Sequence, residues 1–150
     1  MSGIFSAFKI TASGLTAQRL RMDVVAANVA NAETTRTAEG GPYQRKVVVF
    51  STQEPQKQIT PLAARFASRT AATSGVRVEA ILSDESPGHR VYDPDHPDAD
   101  AEGFVTYPNV NVVTEMTDML SATRSYEANV TVFNALKAMA LKALDIGRSS

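Results

Sequence analysis

Between Pro108 and Gly147 the chain runs without glycine or proline. Apolar or aromatic side chains recur there at Val112, Met116, Met119, Tyr126, Val130, Phe133, Ala140 and Leu144. Steps of three, four or seven trace one stripe along an α-helix. Thr123 and Lys137 interrupt it, so the stripe is a seam with polar breaks. Pro108 blocks helix upstream, Asn111 is placed to cap the first turn, and Glu115 stands where the helix dipole favours a carboxylate. Lys142 lies near the other end, and Gly147 predicts the stop. At 1.5 Å per residue this helix is about 50 Å long, more than a domain of this size buries alone. A covering partner is expected.

A second stripe occupies the first thirty residues: Ile4, Phe8, Leu15, Met22, Val25 and Val29. Phe8, Leu15, Met22 and Val29 fall seven apart, the spacing that keeps a seam facing one neighbour in a coiled coil. Ala12 and Ala26 widen the seam, while Arg19, Arg21 and Asp23 fall away from it. Gly14 lowers helix propensity by about 1 kcal/mol relative to alanine but lets another backbone approach closely. Asn28 and Asn31, near the helix end, are placed either to hydrogen-bond across an interface or to cap the turn. The two terminal helices are expected to pair antiparallel. A buried Leu or Phe contributes roughly 1.5–3 kcal/mol, whereas ordering the backbone costs about 1–2 kcal/mol per residue. A lone pair with seams this broken is marginal, and packing among many copies is the natural way to complete it.

Period-two, β-branched stretches lie between the helices. Residues 43–50 read as a strand, Val76, Val78, Ala80 and Leu82 predict one face of another, and Arg90–Tyr92 and Phe104–Tyr107 are shorter candidates. A Gly40-Gly41-Pro42 turn precedes the first. Residues 54–74 hold Pro55 and Pro61 among small and polar residues and predict a flexible surface loop. The expected fold class is α+β. Residues 1–33 with 109–150 form a helical assembly domain, and 34–108 form a small β-rich outer domain.

Composition narrows the function. Aromatics are 7% and tryptophan is absent, which favours helix–helix packing over an aromatic core. A net charge of -1 leaves no basic excess to displace counterions, so nucleic acid is not an expected partner. Charge is uneven: residues 1–75 carry nine Lys/Arg and four Asp/Glu (+5), and residues 76–150 carry six and twelve (-6). Either a head-to-tail contact or plain solvated faces accounts for that. The absence of cysteine removes disulfides, thiolate metal sites and cysteine nucleophiles. Neither a secretory signal nor the roughly 18–20 apolar residues of a membrane span is read.

Candidate chemistry is confined to residues 93–103, where five acids and His96 crowd into eleven positions. Against a calcium loop, Asp98, Asp100 and Gly103 fit positions one, three and six. Glu102 and Asn109 stand at the fifth and twelfth, where the bidentate glutamate is missing. An acidic, turn-rich loop stiffened by Pro94 and Pro97 is the better reading. There is no phosphate loop, nucleophile elbow or acid–base pair, so no enzyme, cofactor, metal or small-molecule substrate is expected.

Specific motifs then carry a resemblance. Ser13-Gly14-Leu15-Thr16-Ala17-Gln18 followed by Val25-Ala26-Ala27-Asn28-Val29-Ala30-Asn31-Ala32-Glu33-Thr34 resembles the N-terminal signature of the bacterial flagellar rod, hook and hook-associated family. Glu115-Met116, Tyr126-Glu127-Ala128-Asn129 and Lys137-Ala138-Met139 resemble its C-terminal signature. Thr34-Thr35-Arg36-Thr37 with a delayed Gly41-Pro42-Tyr43, the block Val91 to Ala99, and Tyr107-Pro108-Asn109-Val110-Asn111 are similar to the proximal-rod subunits of that family. Only residues 54–74 stand outside the likeness. The resemblance implies a structural subunit of the periplasm-crossing shaft that transmits torque, exported by the flagellar type III apparatus without a cleaved signal. Its partners would be other copies and other rod proteins. The expected assembly interface is Ile4, Phe8, Leu15, Met22, Val25, Asn28, Val29 and Asn31 with Val112, Met116, Met119, Tyr126, Asn129, Val130, Phe133 and Leu144. Polar breaks at Gln18, Thr123 and Lys137 would fix its register. Two other readings stay open: a cytoplasmic coiled-coil adaptor or chaperone, and a peripheral membrane protein using Arg19 and Arg21 of the first helix.

Overall fold

The computed structural model describes residues 2–53 and 75–148, so the loop expected at 54–74 lies outside the described residues. In chain order come helix α1 (Ser2–Ala30), strands β1 (Lys46–Thr52), β2 (Val76–Ser83), β3 (Arg90–Tyr92) and β4 (Phe104–Thr106), and helix α2 (Val112–Arg148). The class is α+β, as expected.

α1 and α2 pack along one another in opposite directions. Phe8 meets Phe133 edge-to-face at 5.0 Å between ring centroids, Thr123 Oγ1 lies 3.5 Å from Met22 Sδ, and Asn28 bonds Glu115. At Gly14 the neighbour is a side chain and not the backbone expected there: a Cβ built at Gly14 would lie 3.2 Å from the Asn129 amide nitrogen. Hydroxyl side chains of α1 bond back to their own helix, Thr11 Oγ1 donating to the Ala7 carbonyl and Thr16 Oγ1 to that of Ala12. Asn111 caps α2 as its position demanded, its Oδ1 accepting from the Thr114 N–H at 3.1 Å. Asn31 closes α1 by turning its Nδ2 onto the Ala27 carbonyl.

The β segments form two separate two-stranded antiparallel ladders, β1–β2 and β3–β4. β1–β2 also departs from the simple alternation. Val49 pairs with Ala80 but Phe50 pairs with Val78, leaving Glu79 as an extra residue in β2. Paired residues share a sheet face, so Ala80 and Leu82 go to the Val49 side, and Val76 and Val78 go to the Phe50 side. The single face expected for all four is therefore split by the bulge. In β3–β4, Val105 is completely buried, and the Tyr107 N–H bonds the His89 carbonyl as that ring stacks on His89. Pro108, also fully buried, carries the chain from this ladder into α2.

Little of the interior is large and apolar. Among the described residues the buried hydrophobic side chains are Ala17, Val24, Val25, Val105 and Ala122, none bigger than valine. No helix among those residues is long and apolar enough to cross a membrane.

Candidate assembly surface

α2 carries two apolar lines where the sequence suggested one. The line facing α1 holds Met119, Ala122, Tyr126, Asn129, Phe133, Leu136 and Ala140, half-buried except for the fully buried Ala122. Their alternating steps of three and four match a seam of 3.5 residues per turn. The other line faces solvent: Met116 is 62% exposed, Leu120 54% and Val113 74%. Val112, Val132, Met139, Leu141 and Leu144 are exposed as well.

The sixteen expected interface residues divide accordingly. Ile4, Phe8, Leu15, Met22 and Val29 of α1, with Met119, Tyr126, Asn129, Val130 and Phe133 of α2, are half-buried in the folded chain. Val25 and Asn28 are buried, Asn31 is half-buried at the end of α1, and Val112, Met116 and Leu144 remain open to solvent. Of the polar breaks, Thr123 is half-buried in the seam and Lys137 is exposed. Gln18 Oε1 is buried with no hydrogen-bond partner among the described residues.

A polar node closes one end of the helix pair, built from residues that no local sequence signal joins. Asn28 and Glu115 are each 1% exposed. Asn28 Nδ2 donates to the Lys46 carbonyl at 2.8 Å and to Glu115 Oε2 at 2.9 Å. Its Oδ1 accepts from the Lys46 N–H at 2.9 Å and the Tyr43 hydroxyl at 3.0 Å. Both amide protons and both oxygen lone pairs are thus used. Arg45 Nε donates to Glu115 Oε1 at 2.7 Å, and the Arg45 N–H bonds Asn109 Oδ1 at 3.3 Å. Burial, and then the Glu115 carboxylate, push the Tyr43 phenol above its ordinary pKa. At the surface of the same pair Arg21 meets Asp118 at 3.2 Å.

The acidic loop is an internally bonded turn. Asp100 Oδ1 accepts from the Phe104 and Glu102 N–H groups at 2.9 Å each, and Oδ2 accepts from Arg90 at 2.6 Å. Those bonds, Phe104 first, hold the Asp100 carboxyl below its ordinary pKa. Asp98 takes the Thr35 hydroxyl at 2.8 Å, and its own N–H donates to His96 Nδ1 at 3.1 Å. Gly103 turns with φ of 81°. Among the described residues no group of three or more His, Asp or Glu is arranged to hold a metal ion.

Comparison with known proteins places this architecture. A family profile described as "Flagella basal body rod protein" matches residues 8–36, and one described as "Flagellar basal body rod FlgEFG protein C-terminal" matches residues 101–146. The chain is similar to the flagellar basal-body rod protein FlgC of Bacillus subtilis (strain 168), 48% identical over 96% of this chain and 98% of that protein. The FlgC of Borreliella burgdorferi is 45% identical over 96% and 97% respectively, and that of Salmonella typhimurium 40% identical over 97% and 98%.

Proposed function

The chain belongs to the FlgC family of flagellar basal-body rod proteins, and from that premise we propose that it polymerises through its terminal helices into the proximal rod. It is a structural subunit of the basal body and not an enzyme. Residues 1–33 with 109–150 form the assembling part, paired as an antiparallel coiled coil, and residues 34–108 face outward. The shaft so built crosses the periplasm and transmits torque. Its subunits leave by the flagellar type III apparatus without a cleaved signal, and they dock on other copies and on other rod proteins.

The observation that carries this reading is the second apolar line of α2. Met116, Leu120 and Val113 stand open on a helix whose opposite face is already occupied by α1, so neighbours are what remain to cover them. An unclosed, head-to-tail contact of this kind generates a filament. Covering these side chains supplies the energy that a core with no buried hydrophobic side chain larger than valine among the described residues lacks.

Met116→Asp and Leu120→Asp test the reading. Both sites are more than half exposed, so the variants are expected to fold, to be exported, and to leave cells non-motile with no subunit in purified basal bodies. Motile cells carrying both substitutions would overturn it. Phe133→Asp, by contrast, probes the helix pair itself, since Phe133 packs on Phe8.

A further inference from the structure

We propose that Glu115 makes the pairing of α1 with α2 conditional on docking of residues 43–46, so that the helix pair closes after the entry to β1 is in place. The significance for assembly rests on the rod reading above, but the device itself does not.

Four of the five hydrogen bonds made by Asn28 and the Glu115–Arg45 pair involve residues 43–46: the Lys46 carbonyl, the Lys46 N–H, the Tyr43 hydroxyl and Arg45 Nε. The fifth joins the helices directly, from Asn28 Nδ2 to Glu115 Oε2. In the complete fold Glu115 is 1% exposed; if α1 and α2 came together alone, that single neutral donor would stand in place of the Arg45 guanidinium as α1 covers part of the carboxylate. A buried charge stripped of its partner is strongly destabilising. The rest of the seam has little surplus to offset it, being built on Ala17, Ala122, Gly14 and half-buried side chains. Arg45 reaches the node only when 43–46 lies against α1, where the Lys46 peptide is held by Asn28. Arg45 is itself steadied there by Asn109 Oδ1 on its N–H. The helices therefore remain a poor match until that segment arrives.

The experiment is hydrogen exchange on the full chain in a double-mutant cycle, Arg45→Met and Glu115→Met singly and together. Arg45→Met alone is expected to speed exchange in 16–30 and 112–126 by about a hundredfold. The same change in the Glu115→Met background is expected to alter those amides less than about threefold, because no stranded carboxylate remains. Equal losses in both backgrounds would overturn the proposal. Pulse labelling during refolding supplies a second readout should Arg45→Met fail to fold. In the wild type, amides of β1–β2 should be protected before or with those of the helices. In Glu115→Met the helices should come first. Wild-type helices protected ahead of β1–β2 would also overturn it. Neither failure touches the rod reading, which is decided by the motility of the Met116→Asp cells.

Discussion

Asn28→Ala removes a side chain that makes four hydrogen bonds, and its cost can be worked from those partners. The Lys46 N–H, the Lys46 carbonyl, the Tyr43 hydroxyl and Glu115 Oε2 each lose one hydrogen bond. Leaving a buried polar group unmade costs about 1–3 kcal/mol. The low end applies here, because three of the four bonds are only partly buried. Four groups at about 1 kcal/mol each give about 4 kcal/mol, a large share of the roughly 5–15 kcal/mol that holds a typical domain. In urea, with a slope near 2 kcal/mol per molar for a chain of this size, the unfolding midpoint should fall by about 2 M. Asn28→Asp is the isosteric control. The oxygen replacing Nδ2 would face two acceptors, the Lys46 carbonyl and Glu115 Oε2, so at neutral pH it should cost at least as much as the alanine. The measurement is urea unfolding of the purified chain followed by circular dichroism. A midpoint within about 0.5 M of wild type for Asn28→Ala would refute the claim that the node closes the helix pair.

Three further outcomes follow from the geometry. Gly14→Ala should be neutral or stabilising by up to about 1 kcal/mol, since its Cβ meets only the end of the Asn129 side chain at 3.2 Å. Gly14→Val, with two further carbons at the same place, should lower the thermal midpoint by prising the helices apart. The Tyr43 phenol, whose pKa is raised by burial and by Glu115, binds its proton more tightly folded than unfolded. Its contribution is thus complete below pH 10 and lost as pH rises through the folded value. Ultraviolet titration should show a phenol ionising above the ordinary tyrosine value that Tyr43→Phe removes, and Glu115→Gln should bring it down. Asp100, and Asp84 through the hydrogen bonds it accepts from Ser86, have depressed pKa values, so what they contribute is present above 3.8 and lost as pH falls through their folded values. Amide shifts of Glu102 and Phe104 followed by NMR should move over that acid window, and Asp100→Asn should abolish the transition.

Both helices were legible because their signals are local. The cap at Asn111, the proline before it and the three–four rhythm of apolar residues each act within a turn or two. The strands at Lys46–Thr52, Val76–Ser83 and Arg90–Tyr92 were legible for the same reason. What escaped depends on partners distant in the chain. Glu115 reads as a dipole-compensating residue of a first turn, and nothing nearby announces that Arg45 and Asn28 will enclose it. Met116 and Met119 belong to one stripe at the resolution of steps of three and four, yet one points outward and the other toward α1. Only the position of α1 separates them. The bulge at Glu79 is likewise invisible in β2 itself, because the count of residues in β1 opposite is what makes it extra.

The Asn28 amide offers Lys46 one donor and one acceptor side by side, the same pair that a neighbouring strand would present. Along a strand, successive peptide groups point to opposite edges, and the rung that matches recurs only every second residue, roughly 7 Å further on. A slip of one residue in β1 would turn the Lys46 peptide away from the helix and put every side chain of the strand on the wrong face. A slip of two would carry Arg45 out of reach of Glu115. One helical side chain therefore acts as a ruler for the whole hairpin, setting how far along α1 it sits. The spacing between the helical and outer parts of the molecule is measured from that single amide.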